Sequence, residues 1–406
     1  MTQQTQSRHI FISALEYSAE MHCVHLIAAL QQKTAAAVWP GQTPPPQQTL
    51  RFAGFGGRQL AEAGCSLLDD TVSRAAMIYN VLGQLGYYRR LIRQAQLYFA
   101  HNRPDLVIVC DSPAFNFHIA KAAKKHRIPV LFYVAPQLWA WGPWRIGKLR
   151  RCCDKLACIL PFEKDWFAAR GIDAQFVSNP LFDPIDTDLE KNFKSYTAYD
   201  PAAARIALLP GSREAEIRSL WPAMLTIAAA LQKKHPAAVF TACAPDALKR
   251  ALLEKLKSQS PHADLPVAFA AAGLYETARQ ADLALIASGS ATLQAAAAGC
   301  PMIVMYQSNK WLWHLLARWL VRLRFLSLPN ILAGKELVPE FMPYFTSLDP
   351  IIARADGLLN TPSRLSSISQ ALIELVRPMA QRRASDAVAD IVLDMLAADT
   401  SRPAVG

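Results

Sequence analysis

The sequence predicts an α/β protein built as two Rossmann-like, doubly wound domains, and three observations carry that prediction. Short apolar and β-branched runs alternate with longer helical segments along most of the chain, the pattern of a parallel sheet covered on both faces. The alternation breaks once, around Leu181 to Ala203, into a polar stretch with Pro184 and Lys191 to Lys194 that reads as a linker. At 406 residues the chain is too long for one core of ordinary size and fits two domains.

Taken in order, the first set of strands is His9 to Ser13, Leu50 to Gly54, Leu106 to Cys110, Val130 to Val134, Lys155 to Leu160 and Ala174 to Val177. Helical patterns run over Ser18 to Gln32 and Gly57 to Ala63, and between most of the later strands. Thr34 to Gln48 carries Pro40, Pro44, Pro45 and Pro46 and is expected as a surface loop. The second set is Ile206 to Leu209, Ala238 to Ala244, Val267 to Ala270, Leu283 to Ala287 and Met302 to Met305. The expected domains are therefore residues 1–185 and 200–363, with helices at about 364–397 returning to the first. Open parallel sheets bind ligands at the carboxyl ends of their strands, so a cleft between facing strand ends is the expected site.

With 52% hydrophobic and 18% charged residues, the chain can bury substantial cores and is not disordered. Its formal charge of +11 favours an acidic partner. No zinc-finger spacing or RNA-binding signature accompanies that charge, so no nucleic-acid partner is expected. Cys23, Cys65, Cys110, Cys152, Cys153, Cys158, Cys243 and Cys300 form no C-x-x-C pair, which reads as reduced thiols in a cytoplasmic protein. The polar stretch Met1 to Arg8 lacks a signal peptide's apolar core, and no apolar run reaches the length of a spanning helix.

Two turns bear on chemistry. Ile286 to Gln294 runs from an apolar strand through Ser288, Gly289, Ser290 and Ala291 into an Ala-rich helix, which aims backbone N–H groups at an anion. Leu208-Leu209-Pro210-Gly211-Ser212-Arg213 is a second such turn, to which Arg213 adds a guanidinium fork suited to phosphate oxygens. Two anion cradles in one half suggest a nucleotide-diphosphate site. In the other half, Leu106 to Asn116 puts Asp111 at the end of a buried strand. There a carboxylate serves as general base toward a hydroxyl, or caps the next helix. Glu16, Ser18 and Glu20 follow the first strand, where they either touch a ligand or cap the next helix.

Between Lys310 and Leu323, Lys310, His314, Arg318 and Arg322 recur at every fourth position among Trp311, Trp313, Trp319 and leucines. That spacing stacks one basic ridge on an apolar cylinder, which suits a lipid headgroup boundary or a buried helix with one solvated stripe. Met77 to Arg93, with Ile78 and Leu82, repeats the theme, and equally suits a core helix of the first domain. Together the two segments predict peripheral contact with an anionic membrane surface.

These strings resemble the lipid-A-disaccharide synthase family, inverting glycosyltransferases of the two-domain GT-B fold. The resemblance rests on Asp111-Ser-Pro-x-Phe-Asn116, Tyr133-Val-x-Pro-x-x-Trp139-Ala-Trp141 with Arg145, Leu160-Pro-Phe-Glu163, Leu208-Leu-Pro-Gly-Ser-Arg213 with Glu216, Ala287 to Leu293, and Ser327-Leu-Pro-Asn330-x-Leu-Ala-Gly334. It implies UDP-2,3-diacylglucosamine as donor, 2,3-diacylglucosamine 1-phosphate as acceptor, and a β-1,6-linked disaccharide with UDP as products. Asp111 matches the family's base. Arg213 and Ser288 to Ala291 match the residues that stabilise departing UDP, and Met305, Tyr306 and Asn330 match positions near the nucleotide. No metal or other cofactor is implied, and an oligomer is compatible with the resemblance. The attachment is expected on the inner face of the cytoplasmic membrane.

The chain departs from the family pattern at several places. Leu15 to Glu20 replaces Gly-Glu-x-Ser-Gly-Asp, with Ala19 and Glu20 for Gly and Asp. Ala114 replaces an acid, Asn179 a histidine and Gln294 a ribose-binding glutamate, and Asn80 lies near a usual glutamate. These changes leave open a related transferase with a different acceptor, or a catalytically lapsed protein that binds nucleotide sugar or lipid. Asn116 and Asn179 join Glu16, Ser18 and Glu20 as candidate acceptor-side residues.

Overall fold

The computed structural model describes residues 7–36, 49–75, 81–140, 142–186, 188–308 and 324–400. The chain divides into two units, residues 1–185 with 379–406, and residues 186–378.

The first unit runs β1 (Arg8–Ala14), α1 (Tyr17–Ala36), β2 (Leu50–Gly56), α2 (Arg58–Glu62), β3 (Cys65–Asp70), α3 (Thr71–Ala75), α4 (Val81–Asn102), β4 (Leu106–Cys110), α5 (Pro113–Lys125), β5 (Val130–Tyr133), α6 (Ile146–Cys152), β6 (Lys155–Cys158), α7 (Glu163–Ala168) and β7 (Ala174–Phe176). Its seven strands are parallel in the order β3-β2-β1-β4-β5-β6-β7. Two-residue periodicity sorts the side chains between two layers. Ile10, Ile12, Leu106 and Ile108 pack with Cys23, Leu26 and Leu30 of α1 on one face. Phe11, Val107, Val109 and Phe132 pack on the other, against Leu91 and Phe99 of α4, Phe115 and Phe117 of α5 and Leu149 of α6. Burying each such side chain contributes about 1.5–3 kcal/mol, so the sheet is held from both sides.

The second unit continues with β8 (Arg205–Leu209), α8 (Glu214–Lys234), β9 (Val239–Ala242), α9 (Ala247–Ser258), β10 (Val267–Phe269), α10 (Leu274–Gln280), β11 (Leu283–Ala287), α11 (Ala291–Ala297), β12 (Met302–Met305), α12 (Leu328–Ala333), β13 (Glu340–Phe341), α13 (Asp349–Leu359) and α14 (Pro362–Ala380). Its strands are parallel in the order β10-β9-β8-β11-β12-β13. A last helix, α15 (Ala384–Thr400), belongs to the first unit. Asp183 caps it, accepting from Ala384 N at 2.6 Å and Ser385 N at 3.0 Å, and Val388, Ile391, Val392 and Leu396 join the layer formed by α1.

The structure differs from the sequence-based reading in three places. β3 and β13 are additional edge strands, which lack the long apolar run of a central strand. Residues 364–378, expected with the first domain, lie in the second unit. Thr34 to Ala36, expected in the loop, finish α1, and residues 37–48 lie outside the described residues. All eight cysteines are free thiols, seven of them buried. Burial pushes the Cys65 and Cys153 thiols up to about 12, which keeps them protonated at neutral pH.

Candidate active site

Each sheet reverses its winding once, between β1 and β4 in the first unit and between β8 and β11 in the second. The connections leave such a point in opposite directions, which opens a crevice at the carboxyl ends of the strands. Asp111 follows β4 at the first of these points, and the turns after β8 and β11 lie at the second.

In the first unit, Asp111 directly follows β4, and its N–H donates to Tyr133 O at 3.0 Å, extending the ladder with β5 by one bond. Asp111 and Ser112 then adopt left-handed backbone, with φ of 52° and 42°. For residues with a Cβ this costs roughly 1–2 kcal/mol each, so the turn needs support. Asn116 supplies it from the first turn of α5. Fully buried, it donates from Nδ2 to Asp111 O at 2.8 Å and Cys110 O at 3.0 Å, while its Oδ1 accepts from Ser13 Oγ at 2.7 Å. Asn116 therefore ties the end of β4 to β1 and sets the strained turn, rather than offering its amide to a ligand. The N-cap of α5 is Ser112, not Asp111, and its side chain makes no capping bond. The Asp111 carboxylate is half-buried.

Glu16 and Ser18 are exposed beside this turn. Glu20 is not. Its buried carboxylate accepts from Leu60 N at 2.9 Å, capping α2, and a Cβ at Gly57 would fall 2.7 Å from its Oε2. Of the two readings open for Glu20, capping is the one observed, although the capped helix is α2 and not α1. Asn179 is buried as well, accepting from Leu181 N at 3.1 Å through Oδ1. His22, with its ring centroid 6.2 Å from that of Tyr133, is driven down to about 4 by burial and by nearby His25, and stays neutral at physiological pH.

In the second unit the two anion turns lie side by side, because a Cβ at Gly211 would come 3.3 Å from Ala287 Cβ. Gly211 has φ of +104° and Gly289 of +147°. At the first turn the seat is filled from within: Glu216 Oε2 accepts from both Ser212 N and Arg213 N at 3.2 Å. Its Oε1 accepts from Arg213 Nη1 at 3.1 Å. The expectation of two open cradles is thus corrected to one, with Arg213 presenting a largely exposed guanidinium beside it. Ser290 is the N-cap of α11 and Ala291 its first residue; Thr292 N donates to Gly289 O at 3.1 Å and Leu293 N to Ser290 O at 3.0 Å, so the donors this turn can offer an anion are those ahead of Thr292. Gln294 is half-buried on the same helix.

Met305 is buried at the end of β12, and its carbonyl accepts from Ser288 N at 3.0 Å. Tyr306, half-buried, donates its N–H to Phe341 O at 3.2 Å. Asn330 has no hydrogen-bonding capacity left for a nucleotide. Its Nδ2 donates to Val338 O and Glu340 Oε2, both at 2.9 Å, and its Oδ1 accepts from Leu337 N at 2.8 Å and Val338 N at 3.0 Å. That expectation is also corrected, since the side chain is fully buried and structural.

Sequence reasoning gave no role to three carboxylates around which the quoted strings are wound. Glu216 is one. Glu340 accepts from Leu326 N and Ser327 N, both at 3.0 Å, and from Ser327 Oγ at 2.6 Å, fixing the Ser327 to Gly334 string. Glu163, fully buried, accepts from Trp139 Nε1 at 2.9 Å, Leu160 N at 3.0 Å and Ile159 N at 3.2 Å. Two separate strings, one carrying Trp139 and the other Glu163, are thereby one unit. Burial pushes the Glu163 carboxyl up to about 7 against these donors.

Among the described residues no group of three or more His, Cys, Asp or Glu is placed to hold a metal ion. Ile78, Trp311, Trp313, Arg318, Trp319 and Arg322 lie outside the described residues, as does the side chain of Leu82 in α4. No described helix is long and apolar enough to cross a membrane.

A family model described as lipid-A-disaccharide synthetase matches residues 10–393, nearly the whole chain. The chain belongs to the lipid-A-disaccharide synthetase family. As a family member it is a glycosyltransferase. It is 33% identical over 345 residues to lipid-A-disaccharide synthase of Psychromonas ingrahamii, covering 84% of this chain and 90% of that one. With the enzyme of the same name from Geobacter sulfurreducens it shares 30% identity over 408 residues, covering 98% and 99%. Solved structures show the fold of this synthetase family member. UDP-GlcNAc 2-epimerase from Neisseria meningitidis, solved with UDP-GlcNAc, superposes with a TM-score of 0.61 at 14% identity over 96% of this chain and 100% of its own. A calicheamicin glycosyltransferase gives 0.58 at 14% identity, covering 96% and 98%. The fold is GT-B, with two parallel-sheet α/β domains.

Proposed function

We propose that this chain joins UDP-2,3-diacylglucosamine to 2,3-diacylglucosamine 1-phosphate, forming the β-1,6 disaccharide phosphate and UDP with inversion at the anomeric carbon. The observation that carries the reading is the family match over residues 10–393, with Asp111 and Arg213 at the winding reversals of the two sheets. Asp111 takes the proton from the acceptor 6-hydroxyl as that oxygen attacks the anomeric carbon. The bond to the UDP oxygen breaks, and negative charge grows on the diphosphate. Arg213 and the turn from Ser288 to Ala291 stabilise it with donors fixed in advance. Gln294 serves the ribose hydroxyls as a neutral acceptor. Tyr306 lines the nucleotide side, while Glu16, Ser18 and Asn179 serve the acceptor side.

The protein acts at the inner face of the cytoplasmic membrane, held peripherally by Ile78 and Leu82 and by the segment 310–323, whose Trp, Leu and basic residues suit anionic headgroups. Incubating the purified protein with both acylated glucosamines and detecting disaccharide and UDP by mass tests the reading. Release of UDP with no disaccharide would exclude this acceptor, and loss of neither substrate would exclude the reaction.

A further inference from the structure

We propose that Glu216 is a positioning residue for the transfer step, holding the Arg213 guanidinium in the orientation that meets the diphosphate. The inference rests on the leaving-group role given to Arg213 above.

The seat at the start of α8 is shaped for this carboxylate. Gly211 has φ of +104°, and a Cβ there would stand 2.5 Å from Glu216 Oε2 and 3.0 Å from Glu216 Cβ. The glycine therefore serves the approach of Glu216 as well as the turn. The two carboxylate oxygens divide the work. Oε2 accepts from the backbone N–H groups of Ser212 and Arg213, and Oε1 accepts from Arg213 Nη1.

Stability alone does not account for the second bond. The Arg213 side chain is 74% exposed and that of Glu216 14%. A pair so open to water contributes about 0–1 kcal/mol. What the bond changes is freedom: an exposed arginine otherwise samples many rotamers, and here one of its five N–H donors is pinned. Four donors remain for diphosphate oxygens. Because Glu216 already accepts from Ser212 N and Arg213 N, those two groups are occupied, and the guanidinium it holds is the charged donor this loop presents to the diphosphate.

Glu216→Gln separates the two duties. An amide oxygen in the place of Oε2 keeps both backbone bonds, while the NH2 group in the place of Oε1 faces the guanidinium donor to donor. The experiment measures kcat and donor KM for wild type, Glu216→Gln, Arg213→Ala and the double variant, with melting temperatures for all four. Misplacing a group by about 1 Å can reduce rate by roughly 100-fold, so kcat in Glu216→Gln should fall about 10- to 100-fold. Melting temperature and donor KM should change little, and in the Arg213→Ala background the second substitution should add nothing. Equal falls in both backgrounds, or wild-type kcat in Glu216→Gln, would overturn the positioning role while leaving that of Arg213 standing. If Arg213→Ala itself turned over normally, the leaving-group assignment would fall first and this inference with it.

Discussion

Glu163 lends itself to a quantitative test of how the loop after β5 is held. Its carboxyl is fully buried and accepts from Trp139 Nε1, Leu160 N and Ile159 N, yet desolvation outweighs those three donors and lifts it from 4.5 to about 7. The folded state therefore binds this proton more tightly than the unfolded chain does. The neutral carboxyl stabilises the fold fully below pH 4.5, and that contribution is lost as pH rises through about 7. A shift of this size corresponds to roughly 3 kcal/mol at 1.36 kcal/mol per unit. Replacing Glu163 with Gln removes the titration. Urea unfolding followed by tryptophan fluorescence, from pH 5 to pH 8, should show wild type losing about 2.5 kcal/mol more than the variant over that interval. Taking the difference between the two proteins cancels every other titrating group. Parallel curves would refute the reasoning and mean that the donors, not burial, govern this carboxyl.

Three further outcomes are expected. Asp111→Asn should keep UDP affinity in calorimetry and lose about 100- to 10,000-fold in turnover, and near-normal transfer would remove Asp111 as the base. Asn330→Ala leaves Leu337 N, Val338 N and Val338 O without their partner, so melting should reveal a loss of at least about 3 kcal/mol, at about 1–3 kcal/mol per orphaned group. A selective rise in donor KM without destabilisation would instead restore Asn330 to the nucleotide. Replacing Trp311, Trp313 and Trp319 together with Ser should shift the protein from anionic vesicles to the soluble fraction in flotation, and unchanged flotation would mean that these side chains are core.

The strands that were legible in the sequence are those buried on both faces. Leu106 to Cys110 and Leu283 to Ala287 are unbroken apolar runs, and their observed bounds are the expected ones. β3 ends in Asp69-Asp70 and β13 spans two residues, so neither carries a periodicity to read. Strings such as Ser327 to Gly334 point to a family but do not say which of their residues face a ligand. Asn330 resembled a nucleotide neighbour, and the structure gives it to Val338 and Glu340. The role of Glu163 escaped notice because its indole partner lies 24 residues away in the chain. Glu216, only three residues from Arg213, could have been suspected from the spacing alone, since an acid at the third position of a helix commonly reaches back to its start.

The docking of α15 on α1 and its capping by Asp183 bear on how the protein is made. The layer formed by Cys23, Leu26 and Leu30 is completed by Val388, Val392 and Leu396, which are synthesised only after the whole second unit. At roughly 5–20 residues per second, the stretch from 185 to 384 takes about 10–40 s to synthesise. Throughout that interval the nascent first unit lacks the apolar side chains of α15 that cover the flank formed by α1.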